Sequence, residues 1–391
     1  MKKFALTVLF VAISLAAFAK TSPYDLTYGP WVTETTDSTF TVLWATASRG
    51  IGYVEVVEGD VKGTWYKAEP RRIYQRLDGR YYPATVHQVT VNKLKSGTSY
   101  SYKVGGQILC DEIDPYEYTY GFERSTSKTF KVTTFDSSKT TCRFAVVNDM
   151  HLNVDKFSAL THVDNILDND FILLNGDITT VGDYPMDSLL FYNIKPLDRV
   201  SPNIPLVFAR GNHEGRGNIY EQLHSIYPTS NGKFYYTFRQ GPVSFIVLDA
   251  GETGAEPAKG FSGGPAYFEY LQEQLDWAKE AVSEPSFKNA PVKVCIIHVP
   301  MYPKPNAKAY NCQNWLEENF IPLLNDAGID LMLSAHVHVY SVLEPGGCGN
   351  DFPIVTNSCD ERLEFDADSK GIRLRTFDME GKQQHALDLS L

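Results

Sequence analysis

Five short apolar runs in this chain end in side chains that do not belong in an apolar core. Phe144 to Val147 leads into Asn148, Asp149, Met150 and His151; "FILLNGD" ends at Asp177; "IPLVFARGNHE" ends at Asn212, His213 and Glu214; "VKVCIIHVP" ends near His298; "IDLMLSAHVH" ends at His336 and His338. One such stretch says little, because an Asp-x-His triplet at a polar strand end arises often by chance. Five in order constrain the fold. From residue 143 the runs alternate with helical patterns such as "YFEYLQEQLDWAKEAV", which places Phe268, Leu271, Leu275, Ala278 and Val282 on one face. That alternation predicts βαβ units. In such sheets the crevice lies beyond the C-terminal strand ends, so five strands are expected to deliver these side chains to one edge. Asp149/His151 and His336/His338 read as extended pairs. Alternate residues then share a face, and both members of each pair reach one small volume.

Upstream, residues 22–135 read as all-β. "STFTVLWATAS", "YVEVVEG", "HQVTVNKL", "TSYSYKVGG" and "KTFKVTTF" are short runs rich in Val, Thr and aromatics, spaced by turn residues as in a sandwich. Leu94, Gly97, Thr98 and Tyr100 match the tyrosine-corner entry to a fibronectin type III strand. A Tyr-rich insertion over 105–128, with Tyr116, Tyr118, Tyr120 and Phe122 alternating, is expected to be an extra packed hairpin, or else an aromatic surface that faces the second domain or its substrate. Residues 136–142 read as a linker. Strand patterns return after residue 338, so the second sheet system is mixed. The expected fold is an all-β sandwich followed, over 143–391, by an α/β (α+β) domain with two packed mixed sheets flanked by helices.

The N-terminus, "MKKFALTVLFVAISLAAFAK", has Lys2 and Lys3, an apolar run from Phe4 to Leu15, and small residues at Ala17 and Ala19. This predicts a secretory signal peptide, 1–19, cleaved after Ala19, with export to the periplasm or the outside. The run is too short to span a bilayer, and no other approaches about 20 apolar residues, so no membrane span is expected. The formal charge is −11, and removing the two lysines makes it more negative. Nucleic acid is therefore a poor bulk partner, whereas a local cationic site still attracts a small anion. None of the six cysteines forms a CxxC pair, which argues against a Cys-type zinc site. Cys348 and Cys359 are close enough in sequence to bridge a hairpin, and Cys295 reads as a buried thiol.

Asp149, His151, Asp177, Asn212, His298, His336 and His338 are candidate ligands for borderline or hard divalent ions such as Mn, Fe, Zn or Co. Seven are too many for one tetrahedral ion and suit two, with Asp177 between them. Two ions about 3.5–4 Å apart activate a shared water and stabilise both oxygens of a phosphoryl transfer. The remaining histidines, His87, His162, His224 and His385, show no such context. The order D-x-H, GD, GNHE, H, HxH resembles the calcineurin-like metallophosphoesterase family, and the preceding sandwich resembles the N-terminal domain of purple acid phosphatases. The resemblance implies a small phosphate-ester substrate. It gives one ion Asp149, His151, Asp177 and His338, and the other Asp177, Asn212, His298 and His336. It makes His213 the catalytic acid that protonates the leaving oxygen and leaves Glu214 to support the ligands by hydrogen bonding.

Two departures set this chain apart. Purple acid phosphatases carry D-x-G and GDxxY, but here His151 follows Asp149 and Thr180 stands where the tyrosine would be. Thr180 supplies no phenolate, so the chain resembles a non-purple branch. Ala335 also replaces the usual glycine before His336, which is tolerable unless φ is positive there. The leading reading is an exported phosphomonoesterase. A phosphodiesterase or nucleotide hydrolase on the same ions is the alternative. From a different class comes a non-catalytic, metal-binding adhesion protein, which need not keep both ion sites. Arg216, Tyr302 and Lys304 lie on loops from which they could touch substrate, though such residues are more often simply solvated.

Overall fold

The computed structural model describes residues 25–114, 117–125, 127–253, 266–302 and 310–391. The expected signal peptide, Tyr116 and Lys304 lie outside the described residues.

The first eight strands are β1 (Leu26–Thr33), β2 (Phe40–Glu58), β3 (Arg71–Tyr74), β4 (Ala84–Val91), β5 (Ser99–Asp114), β6 (Glu117–Tyr120), β7 (Arg124–Ser125) and β8 (Phe130–Thr133). β2 serves both layers of the sandwich. Its first part, through Ala45, pairs with β1 and β4, and from Gly50 onward it pairs with β5. A register shift between Ala45 and Gly50 marks where it crosses over. Val42, Trp44, Val54, Val56, Val89, Tyr102 and Val132 fill the space between the layers. The tyrosine corner is present: Lys95 N–H donates to Tyr100 Oη at 2.9 Å, and Gly97 takes the φ of +60° that the turn requires. In the Tyr-rich insertion β6 pairs with β5 as a hairpin. Tyr118 lies under the Arg80 guanidinium, 5.8 Å from ring centroid to Cζ, and Phe122 is exposed.

The second part alternates strands and helices: β9 (Thr141–Val147), α1 (Val154–Thr161), β10 (Phe171–Asn175), α2 (Met186–Asn193), β11 (Leu206–Ala209), α3 (Ile219–Gln222), β12 (Tyr236–Gln240), β13 (Val243–Leu248), α4 (Tyr267–Ala281), α5 (Pro285–Lys288), β14 (Val292–Ile297), α6 (Cys312–Ala327), β15 (Leu331–Ser334), β16 (Ser341–Leu343), β17 (Ile354–Thr356), β18 (Arg362–Asp368), β19 (Gly371–Phe377) and β20 (Gln383–Ser390). One sheet runs β20-β19-β18-β9-β10-β11, the other β12-β13-β14-β15-β17-β16. Their parallel strands are apolar on both faces, as burial on two sides demands. Phe144 and Val146 of β9 point into the core between the sheets, where they meet Phe245, Val294 and Leu333. Ala145 and Val147 point the other way, against Phe157, Leu160 and Leu189 of the helices. α4 and α6 cover the outer face of the second sheet through Leu271, Leu275, Ala278, Leu316 and Phe320.

The sandwich continues the first of these sheets. β1 lies parallel to β11 with Thr33 opposite Leu206, and Trp31, Leu43 and Ala45 join the helix-side core. Trp31 Nε1–H donates to Ile226 O at 2.8 Å, and Tyr102 Oη–H to Pro202 O at 2.7 Å. Cys348 and Cys359 do not bridge: both are free thiols. β17 runs between them. Cys348 packs beside the α6 core, whereas Cys359 N–H reaches the His338 carbonyl. Cys295 is buried, as expected. Among the described residues no helix is long and apolar enough to cross a membrane.

His87 is a buried structural residue of the sandwich. Its ring stacks on Trp44 at 4.9 Å and bonds Gln75 Oε1 and Thr46 Oγ1, each at 2.9 Å. Burial pushes its pKa down to about 4, while the unfolded value is about 6.5. The unfolded chain therefore takes up the proton first as pH falls. Stability from the neutral ring is complete above about pH 6.5 and is lost toward pH 4, a change of about 3 kcal/mol. His87→Gln, which hydrogen-bonds but does not ionise, is expected to lose less melting temperature than wild type between those pH values. Parallel pH dependences would show that the ring is not buried in its neutral form.

Candidate metal centre

The five strand ends meet, but not as extended segments. Asp149, His151, Asp177, His336 and His338 have φ of 53°, 46°, 52°, 71° and 64°. The paired residues reach one volume through left-handed turns, not through β alternation. A strand end must both stop and aim two side chains inward within three residues, and only a tight turn does that. Such a conformation costs a non-glycine residue roughly 1–2 kcal/mol and persists only where its surroundings fix it. Here the turns after β9 and β10 hold each other: Asp149 N–H donates to Gly176 O at 3.0 Å, His151 N–H to Asp177 O at 3.0 Å, and Leu152 N–H to Ile178 O at 3.1 Å. Ala335 is not among the positive-φ residues and is fully buried, so its methyl group takes the place of the usual glycine without backbone strain.

Among the described residues three overlapping groups bring ligand atoms within 4.8 Å of one another: Asp149, His151 and His338; His151, Asp177 and His213; Asp177, His298 and His336. Asn212 is buried beyond the end of β11, immediately before His213. Six of the seven predicted ligand-type residues and His213 thus converge, and Asn212 adjoins His213 in the chain. Several of their atoms lack a complement. Asp149 Oδ1, Asn212 Oδ1 and His298 Nε2 are buried with no hydrogen-bond partner. His298 Nδ1 sits 2.6 Å from Asn175 O, which makes Nδ1 the donor and turns the Nε2 lone pair inward. That nitrogen lies 3.2 Å from Asp177 Oδ2, a contact between two electron pairs that calls for a proton or a cation. His338 Nε2 is likewise 3.2 Å from Asp149 Oδ1 and 3.1 Å from His151 Nε2. Buried oxygens and nitrogens that converge without partners fit divalent ions.

Burial alone pushes the Asp149 and Asp177 carboxyls up, but the neighbouring imidazoles, His298 foremost, hold both below the usual carboxylate range. The same balance acts on His298: burial pushes it down, and the two carboxylates overcome this and raise it to about 10. The wall behind Asp177 is Glu214, fully buried and pushed up to about 7 by burial and the Asp177 charge. Its oxygens accept from Asp177 N at 2.9 Å, Gly211 N at 3.0 Å, Thr179 N at 3.1 Å and Thr179 Oγ1 at 3.2 Å. His213 N–H donates to Asp177 Oδ1 at 2.9 Å, and its ring is half-buried with Nδ1 3.3 Å from Thr180 Oγ1.

Two of the loop candidates have partners within the protein. Arg216 makes a two-point ion pair with buried Glu252, at 2.6 and 2.7 Å, which ties the His213 turn to the segment after Asp249. Tyr302 Oη reaches Thr356 Oγ1 at 3.4 Å. Other supporting groups escaped sequence reading. The Asn175 carbonyl that orients His298 carries no side-chain signal. Asn148 Nδ2–H donates to Asp149 Oδ2 and Asn357 Nδ2–H to Asn148 Oδ1, each at 2.8 Å. Nothing in the sequence links positions so far apart.

The calcineurin-like phosphoesterase family matches residues 142–340, a span that contains every one of these ligand-type residues. The chain belongs to the calcineurin-like phosphoesterase family. Among curated proteins it is similar to probable purple acid phosphatase 20 of Arabidopsis thaliana, 24% identical over 79% of this chain and 64% of the relative. It is also similar to purple acid phosphatase 18 of the same plant, 21% identical over 86% of this chain and 73% of the relative. The chain thus spans less than two thirds of the first of these relatives. A solved structure, GAP50, the anchor in the inner membrane complex of Plasmodium, aligns at 18% identity with a TM-score of 0.43, over 65% of this chain and 90% of its own.

Within this phosphoesterase site Gly211 has no room for a side chain. A Cβ there would stand 2.2 Å from Asp177 Oδ1, 2.3 Å from Asp177 N and 2.7 Å from Glu214 Oε2. Gly211→Ala must therefore move the Asp177 turn or the Glu214 carboxylate. The expected result is a loss of about 1–3 kcal/mol in unfolding free energy, with reduced divalent-ion content by elemental analysis. A variant with wild-type stability and ion content would show that the two turns are not locked at this glycine.

Proposed function

We propose that this protein is an exported phosphatase that hydrolyses phosphate monoesters at a centre of two divalent ions. The observation that carries the reading is the convergence of Asp149, Asp177 and the histidines in three overlapping groups, with Asp149 Oδ1, His298 Nε2 and, next to His213, Asn212 Oδ1 buried and unpartnered. In this reading Asp149, His151, Asp177 and His338 hold one ion. Asp177, Asn212, His298 and His336 hold the other, with Asp177 common to both. Mn, Fe, Zn and Co all suit this donor set. Bound ions supply positive charge for the phosphoryl oxygens and a water acidic enough to act as nucleophile near neutral pH. The residues from 143 onward form the catalytic unit, and the sandwich over 22–135 buttresses it. The leader-like N-terminus supports export, as does the likeness to purple acid phosphatases.

The chain's own groups do the rest. His298 is oriented by Asn175 O, and the Asp177 turn is held by Glu214. His213 stands apart from these supports, half-buried and edge-on to His151 with centroids 4.8 Å apart. In this reading its side chain gives a proton to the leaving oxygen. His213→Ala is expected to keep both ions and the fold but lose about 10²–10⁴-fold in turnover. The loss should be largest for alkyl phosphates and smallest for nitrophenyl phosphate, whose leaving group needs little protonation. A uniform loss across leaving groups would sink the acid role, and loss of an ion would make His213 a ligand.

Thr180 faces His213 and offers no phenol. The iron-loaded protein should therefore lack a strong visible band from a phenolate bound to Fe(III). An intense visible absorption would mean that a tyrosine from elsewhere in the chain reaches the metal.

A further inference from the structure

The two halves of the centre are built unequally. Asp177, Asn212 and His298 are sealed from solvent. The supports of that half come from β10 and the turn after β11: Asn175 O on His298, and Glu214 on Asp177 N. The other half is more open, with the side chains of His151 and His338 26% and 47% exposed. Its supports come from the turn between β17 and β18, Asn357 to Asp360.

Asn148 and Asn357 are both buried and form an amide pair. Asn357 Nδ2–H donates to Asn148 Oδ1 at 2.8 Å and to Glu361 O at 3.0 Å, while Asn148 Nδ2–H donates to Asp149 Oδ2 at 2.8 Å. His336 N–H donates to the same Oδ2 at 3.0 Å. Two donors thus fix one oxygen of Asp149 and leave the other, Oδ1, nearest His338 at 3.2 Å, with His151 and His298 each 3.8 Å away. Ser358 Oγ–H and Cys359 N–H each approach His338 O at 3.4 Å. Lys156 Nζ lies 3.4 Å from Asp149 O and 3.2 Å from Asp360 Oδ1, and its side chain is only 12% exposed. These contacts lead to Asp149 and His338, and none is made to Asn212 or to the His298 ring. The link to the other half is the His336 backbone N–H on Asp149 Oδ2.

We infer that the Asn148–Asn357 pair and the turn that carries it are a positioning device for one ion only, the ion held by Asp149, His151 and His338. It sets that ion's affinity independently of its neighbour's. The inference rests on the two-ion reading of the site. Supports of this kind are worth about 10–100-fold in metal affinity. They work by fixing which lone pair faces the ion, so their loss leaves the ligands present but misdirected.

The test is Asn357→Leu, close in shape and without the amide, in the full-length mature chain. Manganese or zinc ions are titrated by calorimetry into chelator-treated protein, with bound ion counted after dialysis. Wild type should take up two ions. The variant should bind one with unchanged affinity and the other about 10–100-fold more weakly, with an unchanged far-ultraviolet dichroism spectrum. If Asn357→Leu does not fold, Asn148→Leu removes the other half of the pair and carries the same expectation. Equal weakening of both ions, or no weakening of either, overturns the inference while leaving the two-ion reading in place. A folded wild type that takes up fewer than two ions overturns both.

Discussion

Two buried carboxylates in one small volume are the constraint from which the rest of this structure follows. Asp149 and Asp177 are sealed from water, and each carries an oxygen turned toward imidazoles instead of toward a hydrogen-bond donor of its own. Burying one such charge without compensation costs several kcal/mol, and burying two side by side costs more. Within the protein the compensation is partial: His298 lies 3.2 Å from Asp177 and 3.8 Å from Asp149, and backbone N–H groups donate to the outer oxygens. The divalent cations of the proposed centre would complete it. The centre is therefore a place where ion binding and fold stability are one quantity.

Holding that arrangement takes rigid strands and strained ends. The strands are buried on both faces between an aromatic inter-sheet core and the helices, so their C-terminal ends move little. The left-handed residues at those ends are poor choices for isolated peptides. They survive because each turn hydrogen-bonds the next, from β9 to β10 and, through Glu214, from β10 to β11. Glycine is required where two turns touch, at Gly211, and is dispensable at Ala335, where the backbone is ordinary.

The sandwich belongs to this rigid frame. β2 bends once and offers one apolar row to the sandwich core and, beside β1, another to the helices beneath the centre. Trp31 and Tyr102 then bond to carbonyls of the second part. The segment after Asp177, which carries Thr180 and Tyr184, packs against that same helix-side cluster. The N-terminal half thereby steadies a loop that borders His213 without supplying a ligand.

Much of this was legible in the sequence because it is written in local patterns. Apolar runs of the right length predict buried strands. The tyrosine corner is a feature of a few residues, and His, Asp and Asn at strand ends name the chemistry wherever they meet. The expected alternation at Asp149/His151 and His336/His338 failed because a period of two holds only while the backbone stays extended, and positive φ in non-glycine residues leaves no compositional mark. The free state of Cys348 and Cys359 was not legible in their spacing: one packs beside the α6 core and the other sits next to the His338 turn. The Asn148–Asn357 pair, the Lys156–Asp360 contact and the pairing of Arg216 with Glu252 were decided by the tertiary structure alone. Residue identity determines which groups can bind an ion. Which lone pair faces inward depends on hydrogen bonds between segments that only the folded chain brings together.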